Sequence, residues 1–138
     1  MSTEKEKIQI VQEIAPACNP PAGVANAFCA IGQKKTGLSW IQMMILGILA
    51  GAFIGFGSEL ATMVSFDAAK FVGVGISKFL FGSVFAVGLI LVVIAGAELF
   101  TGNNLIVVGT LNGDVTIKKL LNSWFWIYIA NFIGSLLL

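Results

Sequence analysis

Residues 96–104, Gly-Ala-Glu-Leu-Phe-Thr-Gly-Asn-Asn, interrupt a run that is otherwise apolar from Phe71 to Leu111, with Lys78 its only other charge. As one α-helix those 41 residues would reach about 60 Å, twice the roughly 30 Å of a bilayer's hydrocarbon core. The run must therefore break, and the stretch equipped to break it holds an acid, two glycines and two asparagines. Irregular backbone at membrane depth is tolerated only where protein buries it or a cavity borders it. Transporters place substrate at such breaks, facing the ends of half-helices. A turn at the headgroups, with Glu98 in water, is the competing reading. The broken helix is preferred because Leu105–Leu111 is too short to span and Asn112-Gly113-Asp114 turns the chain again.

Composition sets the class. Hydrophobic residues are 57% of the chain and charged residues 11%, against about 25% charged in soluble domains. The chain reads as an all-α integral membrane protein. A net charge of +1, carried by eight lysines and no arginine, offers nothing to a polyanion, so no nucleic-acid partner is expected. There is no histidine, and Cys18 and Cys29 do not form a CxxC pair. No metal site, cofactor or nucleophile–base pair emerges, and an enzyme is not expected.

Along the chain, residues 1–37 read as a cytoplasmic amphipathic N-terminal segment. Ile8, Val11 and Ile14 fall at helical spacing up to Pro16, and Val24, Phe28 and Ile31 form a second short stretch running into Lys34-Lys35. The transmembrane part is 38–138. Its first span, about 38–64, carries Gly47-xxx-Gly51-xxx-Gly55, a spacing that lets helices approach closely in lipid. Glu59 falls near its far end and reads as interfacial, with a vestibule role as the alternative. The second span begins at about 71–95, continues through a re-entrant loop at 96–104, and resumes as a half-helix at 105–111. Thr116 is a candidate N-cap for a third span starting near 117. That span is still apolar at Leu138, without basic flank or cap, which reads as a protein cut short. Lys34-Lys35 and Lys118-Lys119 flank the first and third spans on one side if the interrupted segment crosses fully, so the positive-inside tendency places the N-terminus in the cytoplasm.

The half-helix beginning near Asn103–Leu105 would aim unpaired N–H groups into the membrane, where a helix N-terminus attracts anions. Thr101, Asn103 and Asn104 add donors without a full charge. Glu98 would repel an anion if it faced a pore, so it is expected to point inward and brace the loop through backbone N–H groups, with Gly96 and Gly102 shaping the turn.

Ala97-Glu-Leu-Phe-Thr-Gly-Asn103 resembles the signature of the formate/nitrite transporter family. Leu46-Gly-Ile-Leu-Ala-Gly-Ala-Phe-Ile-Gly55 resembles its first transmembrane helix, and Asn122-Ser-Trp with Tyr128 and Asn131-Phe-Ile-Gly134 its third. The resemblance covers about residues 22–138 and only the first half of a family member. It implies an aquaporin-like bundle, one pore per protomer, a homopentamer, and a channel or proton-coupled carrier for small monovalent anions. Formate is the first candidate, with nitrite and hydrosulfide close behind. It also implies that Phe85, Leu89, Leu99 and Phe100 narrow the pore, and that Lys35 lies at the cytoplasmic vestibule. A topology-marking lysine is the equal alternative for Lys35. The family's central histidine falls in the second repeat, outside this sequence. The rival readings are a structural membrane subunit docking through its glycine faces, and a neutral-solute channel, which would usually present an Asn-Pro-Ala repeat absent here.

Overall fold

The computed structural model describes residues 20–138, so the expected amphipathic stretch at 1–15 lies outside the described residues. Among the described residues six helices follow one another: α1 (Pro21–Thr36), α2 (Trp40–Ser65), α3 (Ala68–Ala95), α4 (Phe100–Asn103), α5 (Ile106–Leu111) and α6 (Ile117–Leu136). The two short apolar stretches expected before the first span include one that is continuous through Lys34-Lys35 as α1. Pro21 occupies its first turn, where the missing N–H costs nothing, and Gly37 closes it with its N–H on the carbonyls of Gln33 and Lys34.

α2 starts where the local chemistry directs it. The Ser39 hydroxyl accepts from the Gln42 N–H and the Gln42 side chain accepts from the Ser39 N–H, a capping box contributing about 1 kcal/mol. Thr116 caps α6 without the reciprocal bond, its hydroxyl accepting from the Lys119 N–H. α2 and α3, of 26 and 28 residues, are each long and apolar enough to cross a membrane. α3 is kinked near its start, since Gly73 takes φ 82° and ψ 160° inside it.

Glycines decide how the helices meet. A Cβ on Gly51 would fall 2.1 Å from the Asn131 carbonyl oxygen, and one on Gly134 would fall 2.1 Å from that of Ile48. α2 and α6 therefore touch backbone to backbone, running parallel. α3 returns antiparallel along α2, with Gly57 and Gly88 stacked so closely that a Cβ on Gly57 would sit 2.8 Å from the Gly88 backbone. Gly55, the third residue of the sequence stripe, has only ordinary contacts at 3.7 Å. Two of the three stripe glycines thus make the crossing.

α3 ends in a Schellman turn. Gly96 adopts the left-handed conformation, φ 63° and ψ 30°, while its N–H donates to Val93 and that of Ala97 reaches back to Val92. The chain then runs extended through Leu99 to the single turn of α4. The expected loop at 96–104 is in this respect different: four of its residues are helical. The non-helical break between α3 and α4 lies against α2. The Glu98 N–H donates to the carbonyl of Leu46, six residues into α2, which is about 9 Å along that helix. α5 then packs on α1, where Gly32 meets Ile106 and Gly109 meets Cys29. Ile106, Val115 and Leu120 form the small core beneath, with Trp124 against it.

Candidate functional site

Polar side chains gather at the break between α3 and α4. Glu98 is buried, and its carboxylate accepts from Lys35 Nζ at 2.6 Å. The same ammonium donates to Asn103 Oδ1 at 2.9 Å. Asn103 is 1% exposed; its Nδ2 faces the Ser123 hydroxyl at 3.5 Å and its carbonyl accepts from Trp124 Nε1 at 3.0 Å. Lys35 stands on α1, Glu98 and Asn103 on the break, Ser123 and Trp124 on α6. The cluster ties three parts of the chain together. Among the described residues no buried side-chain nitrogen or oxygen lacks a partner.

This geometry differs from the sequence expectation in three respects. Glu98 turns inward, but its carboxylate meets the Lys35 ammonium rather than backbone N–H groups; its own N–H and carbonyl are the backbone groups engaged, with Leu46 and Asn131. Asn103 accepts from Lys35 through Oδ1 and directs Nδ2 at Ser123, and at 1% exposure it is enclosed by these partners rather than open to an anion. The N–H groups at the start of α5 are partly occupied: those of Leu105, Val107 and Val108 donate to the carbonyls of Gly102, Asn104 and Leu105, of which only Gly102 belongs to α4.

A cavity of about 770 Å³ borders the cluster, lined by Leu89, Val92, Leu99, Thr101, Gly102 and the Lys35–Glu98 pair among others. A second, of about 280 Å³, lies on the other side of Leu99, against Gly51, Phe100, Tyr128 and Asn131. Of the four residues expected to narrow a pore, Leu89 and Leu99 face the first cavity and Leu99 and Phe100 the second. The Phe100 ring is held edge-on by Trp124 and Tyr128, with centroids 6.1 and 5.5 Å away. Phe85 sits one turn before Leu89 on α3 with its ring stacked on Phe81 at 6.3 Å. Thr101 and Gly102 present a polar wall to the large cavity, and Asn104 is exposed at the end of α4. Asn131, quoted above only for its resemblance to the third helix, was given no role from sequence. The available signal was the single amide in the apolar stretch 124–138, which must find partners there.

Away from the break, the half-buried Cys29 thiol is pushed up from its ordinary pKa. Desolvation is the larger cause, followed by a hydrogen bond to Asp114 and that residue's negative charge.

The formate/nitrite transporter profile matches residues 22–138. The chain is 41% identical over 117 residues to the "Probable formate transporter" of Methanothermobacter thermautotrophicus, covering 83% of this chain and 43% of that protein. It is 37% identical over 121 residues to the formate channel BtFdhC of Bacillus thuringiensis, covering 87% and 46%. It is 36% identical over 136 residues to the formate channel FocA of Haemophilus influenzae, covering 99% and 45%. The chain spans less than half the length of these relatives. A match running through the glycine crossing, the break and the third long helix leaves one conclusion: the chain belongs to the formate/nitrite transporter family.

Proposed function

We propose that this chain forms one half of a membrane conduit for a small monovalent anion, formate first, carried as the anion or as its neutral acid. The observation that carries the reading is the large cavity, where Leu89 and Leu99 form an apolar wall and Thr101 with Gly102 a polar one. An apolar wall strips hydration, and uncharged polar groups replace part of it without holding the ion. Lys35 is neutralised by Glu98 at 2.6 Å, which suits passage rather than capture. The relatives' names support formate, and proton coupling fits an apolar barrier that a neutral acid crosses more cheaply than an anion.

The same reading makes 96–111 the interrupted second span of an aquaporin-like bundle, repeated around a homopentamer, with the N-terminus in the cytoplasm. The depth of Glu98 against Leu46 supports the interruption, and the lysine pairs at 34–35 and 118–119 support the orientation. The exposed apolar face of α3, including Phe79, Val93 and Ile94, is suited to lipid or to further helices.

The test is formate flux into proteoliposomes made from protein purified at its native length from its own membrane, with that length read from intact mass. Formate uptake above protein-free vesicles, inhibited by nitrite or hydrosulfide and not by glycerol, is the expected result. Folded protein carrying none of the three anions overturns the transport reading. Flux that responds to a pH gradient at constant voltage assigns proton coupling.

A further inference from the structure

Asn131 stands in the C-terminal part of α6 and its amide reaches both α2 and the break. The Phe100 N–H donates to its Oδ1 at 2.8 Å. Its Nδ2 donates to the carbonyl of Gly47 at 2.9 Å and to the carbonyl of Glu98 at 2.9 Å. The orientation of the amide follows from the partners, because an N–H can only donate and a carbonyl only accept. A flipped amide would lose all three.

Two of these partners are the peptide groups on either side of Leu99. That residue is extended, φ −98° and ψ 132°, so its flanking groups fall between the ladders of α3 and α4. In an apolar setting, unpaired groups there would be costly, and the break would shift to find partners. Asn131 supplies both from a rigid helix, and the Gly47 carbonyl fixes the same amide to α2. The closeness depends on glycine: a Cβ on Gly51 would collide with the Asn131 backbone. Leu99 is also the residue common to the two cavities. A clamp on its peptide groups therefore holds the one side chain that lines both.

We infer that Asn131 is a positioning residue for size selection: by clamping the peptides flanking Leu99 it fixes how wide the passage is there. The selection part rests on the transport reading; the clamp does not. Asn131→Leu keeps the volume and removes all three bonds, and Asn131→Ala gives the same test without any risk of overpacking. Hydrogen exchange of the 97–104 segment is measured in detergent alongside α2 and α6. In liposomes, the ratio of formate to lactate flux is measured on the same preparations; a ratio does not depend on how many molecules are folded.

Exchange at 97–104 faster by on the order of tenfold, with α2 and α6 still protected and the formate-to-lactate ratio lowered, is expected. Unchanged exchange at 97–104 overturns the clamp. Protection lost evenly across all helices assigns Asn131 to general packing and also overturns it. Faster local exchange with an unaltered flux ratio overturns the role in selection. A wild-type protein that moves no anion rejects the transport reading, and with it selection, while the exchange result still decides the clamp.

Discussion

Gly96 has open space around it, since nothing lies within 4 Å of where a Cβ would be. The demand for glycine there is purely conformational. Gly96→Ala is expected to lower stability by about 1–2 kcal/mol, the cost of a left-handed L-residue, and Gly96→Asn by less. Thermal unfolding in detergent checks the order. At Cys29 the raised pKa leaves less thiolate at a given pH, so alkylation of the folded protein near pH 8 should be slow. Asp114→Asn removes the negative charge that raises the pKa and should speed the reaction, measured by mass after a timed iodoacetamide pulse on a Cys18→Ser background. Folding here favours the protonated thiol. Its contribution to stability is therefore full below the ordinary thiol pKa and lost as pH rises through the higher folded value. At this scale the sequence was readable: a glycine ending an apolar run and a hydroxyl before the next one announced a stop and a cap. The partner of Glu98 was not, because Lys35 is 63 positions away and nothing local to either residue indicates that they meet.

Between elements, the glycine stripe of α2 is unequal, and that inequality can be tested. Gly51→Ala should push α6 off α2 at a cost of about 1–3 kcal/mol, whereas Gly55→Ala should fall within about 0.5 kcal/mol of the parent. Denaturation midpoints of the two variants separate them; equal effects would remove the close crossing. The Lys35–Glu98 pair joins α1 to the break, with side chains 23% and 10% exposed. Lys35→Met leaves a carboxylate unpaired at low exposure and should loosen α1, at roughly 2 kcal/mol once partial exposure discounts the larger cost of a fully buried charge. Glu98→Gln keeps an acceptor for the ammonium and should do less harm. Hydrogen exchange across Pro21–Thr36 distinguishes the two. The spacing of the stripe was visible in the sequence, but which glycines face backbone depends on the angle at which α6 crosses, and no residue on α2 records that angle.

For the whole molecule, orientation gives a single clean expectation. With the native cysteines replaced by serine, Gln33→Cys and Lys118→Cys should both react with a membrane-impermeant maleimide only from the cytoplasmic side, and Lys70→Cys only from the opposite side. Labelling of Gln33→Cys and Lys118→Cys from opposite sides would reject a full crossing by the interrupted segment. What the sequence determined by itself was the solvent, the approximate ends of the long helices and the family. Hydropathy summed over 20 or more residues reports the solvent, caps and glycines report the ends, and the Ala97–Asn103 signature reports the kinship. Only the tertiary structure decided what the polar residues of the break do. Asn103 looked like a donor and proved also to accept from Lys35, the N–H groups at the start of α5 proved to be partly satisfied by carbonyls just ahead of them, and Asn131 emerged as the side chain holding the peptides that flank Leu99. A buried polar group takes whichever partner packing brings within about 3 Å, and that choice is made between helices far apart in sequence.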